Sequence, residues 1–159
     1  MVTAAQAASG SDEPSKFITA KNGNFIKNEK SFFFSGTNAY YLPNYQKLEP
    51  SMVSRAFDAF EMADIRVVRM WAFYDGYDFG YSKQDPNENV IQTAAGIYNE
   101  QALVDLDEVI AEGKERGMYF ILPFVNYWNE LGGIAQYNLW AGINDPDTEK
   151  MDKFINSPE

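Results

Sequence analysis

Three apolar runs, at residues 31–38, 65–73 and 118–126, alternate along this chain with two stretches of helical periodicity. Runs that are apolar throughout, rather than at every second residue, suit strands covered on both faces, as in a parallel sheet flanked by helices. Parallel neighbours need a crossover, and the intervening helices supply it with the usual right-handed turn. In the first helical stretch Met52, Val53, Ala56, Phe57 and Phe60 recur at spacings of three and four, with Pro50 opening the helix and Ser51 as its expected N-cap. In the second, Leu103, Leu106, Val109 and Ile110 form the inward stripe. There Asn99 is the cap, Glu100 complements the positive helix N-terminus, and Gly117 ends the helix. Both stripes predict core packing and no cofactor site.

Ahead of the first run, Asn22-Gly23-Asn24 and Asn28-Glu29-Lys30 bracket Phe25-Ile26-Lys27 with turn residues, the punctuation of a hairpin. Residues 1–15 are small and polar and read as a flexible leader, with residues 16–159 forming the folded domain. Ala5-Gln6-Ala7 has the form of a signal-cleavage site without a basic region or an apolar stretch before it, which leaves an export remnant and a cloning sequence equally open. After Asn144-Asp145-Pro146 a polar run predicts a further helix near Thr148. Three βα units cannot close an eight-stranded barrel, which takes about 250 residues, so the order of elements predicts the front portion of a larger fold.

Composition excludes several functions. A net charge of −10 argues against nucleic acid and anionic membrane surfaces, and no apolar run is long enough to span a bilayer. The chain has no histidine and no cysteine. A histidine-dependent triad, a thiolate metal site and a disulfide are therefore excluded from it, while carboxylate chemistry remains open. No metal or organic cofactor is implied.

The strand ends carry the polar and aromatic residues. The second run delivers Arg69 near its end, with Trp71 and Phe73 beside it. A guanidinium amid apolar residues needs carboxylates, carbonyls or a polar ligand, and a purely structural ion pair is an equal alternative on local sequence. Asn38, Tyr40 and Tyr41 emerge after the first run, where a barrel places its working loops. Tyr127-Trp128-Asn129-Glu130 and Gly132-Gly133 form a second aromatic loop after the third, in which Pro123 is awkward for a central strand. Residues 74–98, with Tyr74, Tyr77, Phe79 and Tyr81, are either a ligand-facing excursion or a loop packed onto its own barrel.

Ser35-Gly36-Thr37-Asn38-Ala39-Tyr40-Tyr41-Leu42, Val67-Val68-Arg69-Met70-Trp71-Ala72-Phe73, Gly96-Ile97-Tyr98-Asn99-Glu100 and Pro123-Phe124-Val125-Asn126-Tyr127-Trp128 with Gly132-Gly133 resemble the endo-β-1,4-mannanases of glycoside hydrolase family 5, in the family's order. The resemblance implies an α/β fold, a (β/α)8 TIM barrel of which this chain supplies an N-terminal hairpin and about three βα units. It implies retaining hydrolysis of mannan, glucomannan or galactomannan by two glutamates about 5–5.5 Å apart, both beyond Glu159. Asn99-Glu100 and Asn129-Glu130 share the acid/base motif's first two residues but not its position. Arg69 matches an arginine that holds the nucleophile ionised, and Trp128 a tryptophan that faces a sugar. Asn126, Asn38, Trp71, Tyr40 and Tyr41 lie in matching blocks as expected sugar contacts. Tyr127 departs from the family, many of whose members have a second asparagine there. The implied partners are β-mannan and the remainder of the barrel, and the implied location is extracellular. A family 5 cellulase shares the fold and mechanism, and a non-catalytic sugar-binding or half-barrel assembly module is the alternative of another class.

Overall fold

The computed structural model of the chain describes residues 17–78 and 88–143. The expected leader, Phe79 and Tyr81 of the long excursion, and the helix expected near Thr148 lie outside the described residues. The chain divides between Phe34 and Ser35 into two compact units.

The first unit is an antiparallel meander of β1 (Thr19–Lys21), β2 (Asn24–Lys27) and β3 (Lys30–Ser31). Its links are Asn22-Gly23 and Asn28-Glu29, all four at positive φ. Two-residue hairpin turns of the primed type need that geometry, and Asn and Gly adopt it readily. The expected hairpin is present and gains a third strand. Phe34 packs against Phe25 and Phe32, with ring centroids 5.8 and 5.6 Å away.

The second unit begins with β4 (Gly36–Asn38), α1 (Leu42–Leu48), α2 (Pro50–Met62) and β5 (Val67–Arg69). It continues with β6 (Gln92–Ala94), β7 (Ile97–Tyr98), α3 (Glu100–Glu115), β8 (Tyr119–Ile121) and α4 (Gly133–Trp140). β4, β5 and β8 form a parallel sheet in that order, so the expected succession of three βα units is observed. The register sets Thr37, Val68 and Phe120 abreast and, one residue on, Asn38, Arg69 and Ile121. The first row faces the helices: Val68 is fully buried, and the Phe120 ring meets Phe57 of α2 edge to face at 6.3 Å. The second row points to the opposite face, which is open, and Ile121 is 47% exposed.

The strands are shorter than the apolar runs, and among the described residues one face of the sheet is exposed toward the strands' C-terminal ends. The first run is split between β3 and β4, because it straddles the boundary between the two units. In the second run, ladder pairing ends at Arg69, although Met70 and Ala72 still donate to the carbonyls of Ile121 and Pro123 at 3.1 Å. Pro123 has no N–H to donate, and β8 ends before it.

The helices follow their stripes. Val53, Phe57 and Val109 are fully buried, and Met52, Ala56, Phe60, Leu103 and Ile110 are half-buried. Asn99 caps α3 by accepting from the Gln101 N–H at 3.2 Å, and Gly117 follows the helix at positive φ. The cap of α2 is a correction: Glu49 holds the N-cap position, and the Ser51 hydroxyl turns back to the Glu49 carboxylate. Proline at the first helical position fixes the entry, so α2 begins two residues earlier than a Ser51 cap requires. Arg116 joins α2 to α3 by donating to Asp58, Glu61 and Glu112, which hold its guanidinium further above its ordinary pKa.

The short helix α1 is an addition that the sequence did not announce. Asn89 donates to the Pro43 carbonyl at 3.0 Å, and Lys47 to that of Glu88 at 2.8 Å. These bonds fasten the end of the long excursion to α1. Among the described residues no helix is long and apolar enough to cross a membrane.

Candidate functional site

The C-terminal ends of β4, β5 and β8 carry the candidate residues, as a parallel sheet requires of its working edge. Asn38 and Arg69 are cross-strand partners, and the Ala39 N–H donates to the Arg69 carbonyl at 2.9 Å, which holds the two strand ends level. Both side chains stand exposed on the open face. Among the described residues no carboxylate meets the Arg69 guanidinium, because the face onto which it projects is uncovered.

Beyond these two residues runs a row of aromatic rings. Tyr45, Tyr41, Tyr40, Trp71 and Phe73 follow one another at centroid distances of 5.0, 5.5, 5.0 and 5.2 Å. Tyr40 is exposed, whereas Tyr41 and Trp71 are partly buried and packed against the core. The Trp71 Nε1–H is buried without an acceptor. Such an indole is set firmly but offers solvent little of its edge.

The third contribution is the loop after β8. Trp128 is 70% exposed, with Tyr127 edge-on to it at 6.2 Å. The Asn126 Nδ2 donates to the Glu130 carbonyl at 3.0 Å, and its Oδ1 is buried. Its Nδ2 donor therefore helps to close its own loop. Leu131, Gly132 and Gly133 all take positive φ, and a Cβ on Gly132 would collide with the Asp75 carbonyl. Two glycines are required there to let the loop close on its neighbour.

Sequence reasoning missed the cluster beneath this loop. Tyr137 of α4 donates its hydroxyl to Gln92 Oε1 of β6 at 2.9 Å, and it also bonds the carboxyl of Asp75. One turn position away, Gln136 donates to Asp78 Oδ2 at 2.8 Å and accepts from the Asp78 N–H at 3.3 Å. Burial pushes the Asp75 carboxyl up to about 7, against the pull of the Tyr137 hydrogen bond, and burial with the nearby Asp75 charge raises Tyr137. With Asp75 protonated, its proton goes to the Tyr137 oxygen and the Tyr137 proton goes to Gln92. With Asp75 ionised, two acceptors compete for one hydroxyl proton. The available signal was Asp75-Gly76 followed sixty residues later by Gln136-Tyr137, but reading it required knowing that α4 exists.

Asn99 and Glu100 belong to the start of α3, and the Asn129 and Glu130 carbonyls accept bonds that close the Trp128 loop. Neither asparagine–glutamate pair is therefore arranged as a catalytic site. Among the described residues no group of three acidic side chains is placed to hold a metal. The arrangement offers a cation, an amide and aromatic faces at a sheet's mouth, which suits holding a sugar. Flat rings suit the C–H face of a pyranose, and amides its hydroxyls.

Residues 15–155 match the family described as GH family 5 beta-mannosidase-like. The chain belongs to that family. Mannan endo-1,4-beta-mannosidase 1 of Solanum lycopersicum is 36% identical over 146 residues, 91% of this chain and 34% of its own length. Putative mannan endo-1,4-beta-mannosidase 9 of Oryza sativa subsp. japonica is 37% identical over 145 residues, 89% of this chain and 33% of its own. This family 5 chain thus spans about a third of the curated relatives it matches. Among solved structures, the endo-1,4-beta-mannanase from Rhizomucor miehei aligns with TM-score 0.67 and 25% identity over 87% of this chain and 39% of its own. The endo-beta-1,4-mannanase from Thermotoga petrophila aligns with TM-score 0.62 and 27% identity, over 80% and 29%. A family 5 mannosidase from Rhizomucor miehei, at 20% identity and TM-score 0.72 over 89% of this chain and 38% of its own, shares the fold.

Proposed function

We propose that this chain supplies the first three βα units of a (β/α)8 endo-β-1,4-mannanase that hydrolyses internal bonds of mannan, glucomannan or galactomannan with retention. The observation that carries this is the match of nearly all of the chain, at about a third identity, to relatives named for that activity. Two glutamates beyond Glu159 perform the chemistry, one protonating the glycosidic oxygen and the other attacking the sugar. Arg69, level with Asn38 at the sheet's end, faces the nucleophile and keeps it ionised with a fixed guanidinium fork. Trp128 presents its face to one mannose unit, and Tyr40 and Asn38 complete the near wall, with Trp71 and Tyr41 setting Tyr40 from behind. A polysaccharide substrate implies an extracellular site of action.

The test is hydrolysis of mannan and of cellulose by the full-length protein, with product stereochemistry followed by NMR. Release of mannooligosaccharides with retained configuration is expected. Cleavage of cellulose with mannan untouched would overturn the substrate assignment. Trp128→Ala should raise KM for mannooligosaccharides by about tenfold, within the range that aromatic contacts contribute.

A further inference from the structure

We propose that Asp75 is a positioning residue: together with Tyr137 it fastens the Trp128 loop to the segment after β5, and so fixes where that indole face stands for a sugar. The inference rests on the reading of Trp128 given above and extends it to residues that touch no substrate. Asp75 ties three segments together. Its N–H donates to the Leu131 carbonyl at 2.9 Å, inside the Trp128 loop, and its own carbonyl lies against Gly132. It pairs with Gln92 as an isolated parallel bridge, and the next residue, Gly76, donates to the Gln92 carbonyl at 2.7 Å. Its carboxyl meets Tyr137, which is also bonded to Gln92 and lies on α4, the helix that directly follows the loop.

The loop is thus held at its two ends, by Asn126 and by Leu131, and the bond from Asp75 holds the second of them. From Tyr127 to Glu130 its side chains are exposed, and the bonds that hold it begin at Asn126 and Leu131. Asp75 itself is 3% exposed, so no ligand reaches its carboxyl directly. Its influence on a sugar must pass through the loop.

The test uses Asp75→Ala, Tyr137→Phe and Asp75→Asn in the full-length protein. Local motion of Trp128 is read by time-resolved fluorescence anisotropy, as the difference between each protein and its Trp128→Phe counterpart, and kcat and KM are measured on mannooligosaccharides. Asp75→Ala and Tyr137→Phe should speed the local depolarisation of Trp128 and raise KM about threefold or more, with kcat within about twofold of the parent. Asp75→Asn, whose amide N–H can donate to the Tyr137 oxygen as the protonated carboxyl does, should restore both. Unchanged anisotropy and KM in the folded variants would overturn the proposal, as would a fall in kcat at constant KM. Should Asp75→Ala fail to fold, Tyr137→Phe decides. If Trp128→Ala leaves KM unchanged, the sugar-binding reading fails, and the anisotropy alone then judges whether Asp75 holds the loop.

Discussion

Two buried polar side chains in the second unit have opposite consequences. Asp75 bonds Tyr137 but leaves its Oδ2 without a partner, and burial pushes its carboxyl from its ordinary 3.8 up to about 7. A carboxyl whose folded pKa is raised binds its proton more tightly in the folded state, so its contribution to stability is complete below about 3.8 and is lost as pH rises through about 7. Asp75→Asn should therefore match the parent near pH 4 and exceed it in stability at pH 8, a difference that urea denaturation at both pH values measures. A constant difference across that range would remove the titration from Asp75. Asn138 of α4 is 1% exposed, with neither amide atom bonded. An unpaired buried amide costs about 1–3 kcal/mol, and an apolar group of the same shape avoids that cost. Asn138→Leu should raise the melting temperature, and a lower one would show that the amide is satisfied in the folded protein.

At the scale of elements, the packing of α3 on the sheet depends on Gly113. A Cβ there would collide with the Phe120 ring of β8 and approach the Phe57 ring of α2 to 3.1 Å. Helix propensity favours alanine at an interior position by about 1 kcal/mol, but overpacking a filled core costs about 1–3 kcal/mol. The rings have little room to yield, since Phe57 is fully buried and meets Phe60 and Phe120 edge to face. Gly113→Ala should thus lower stability despite its better propensity, which thermal melting would show as a reduced midpoint. The same contrast between local preference and tertiary packing separates what the sequence revealed from what it concealed. The stripes of α2 and α3, the Asn99 cap and the Gly117 stop were legible because each is set within a few residues. The lengths of β4, β5 and β8 were not, since apolar runs state where a chain is buried and not how far its ladder extends. The placements of Asn38, Tyr40 and Trp128 at strand ends could be read in advance. The Asp75–Tyr137–Gln92 cluster could not, because its three residues come from separate segments and meet only when α4 has folded back.

For the molecule as a whole, the open face of the sheet decides what Arg69 does. Ile121, Phe124 and Val125 are exposed in the second unit, alongside Asn38 and Arg69. Apolar surface in such a row is ordinarily covered, and in the proposed barrel the remaining strands cover it and bring the nucleophilic glutamate toward Arg69. A cation beside a carboxylate lowers its pKa by about 1–3 units, so loss of the guanidinium lets the nucleophile take up a proton at higher pH. Arg69→Ala in the full-length protein should accordingly shift the acid limb of the kcat/KM profile upward by about one unit or more and depress kcat/KM most strongly on the acid side. Arg69→Lys, which keeps the charge but loses the paired donors, should shift the limb less while still lowering kcat. An arginine that merely braces the barrel predicts a different pattern, with a lower melting temperature and an unmoved acid limb. The pH profile of these two variants therefore distinguishes an arginine that tunes the reaction from one that only joins the strands around it.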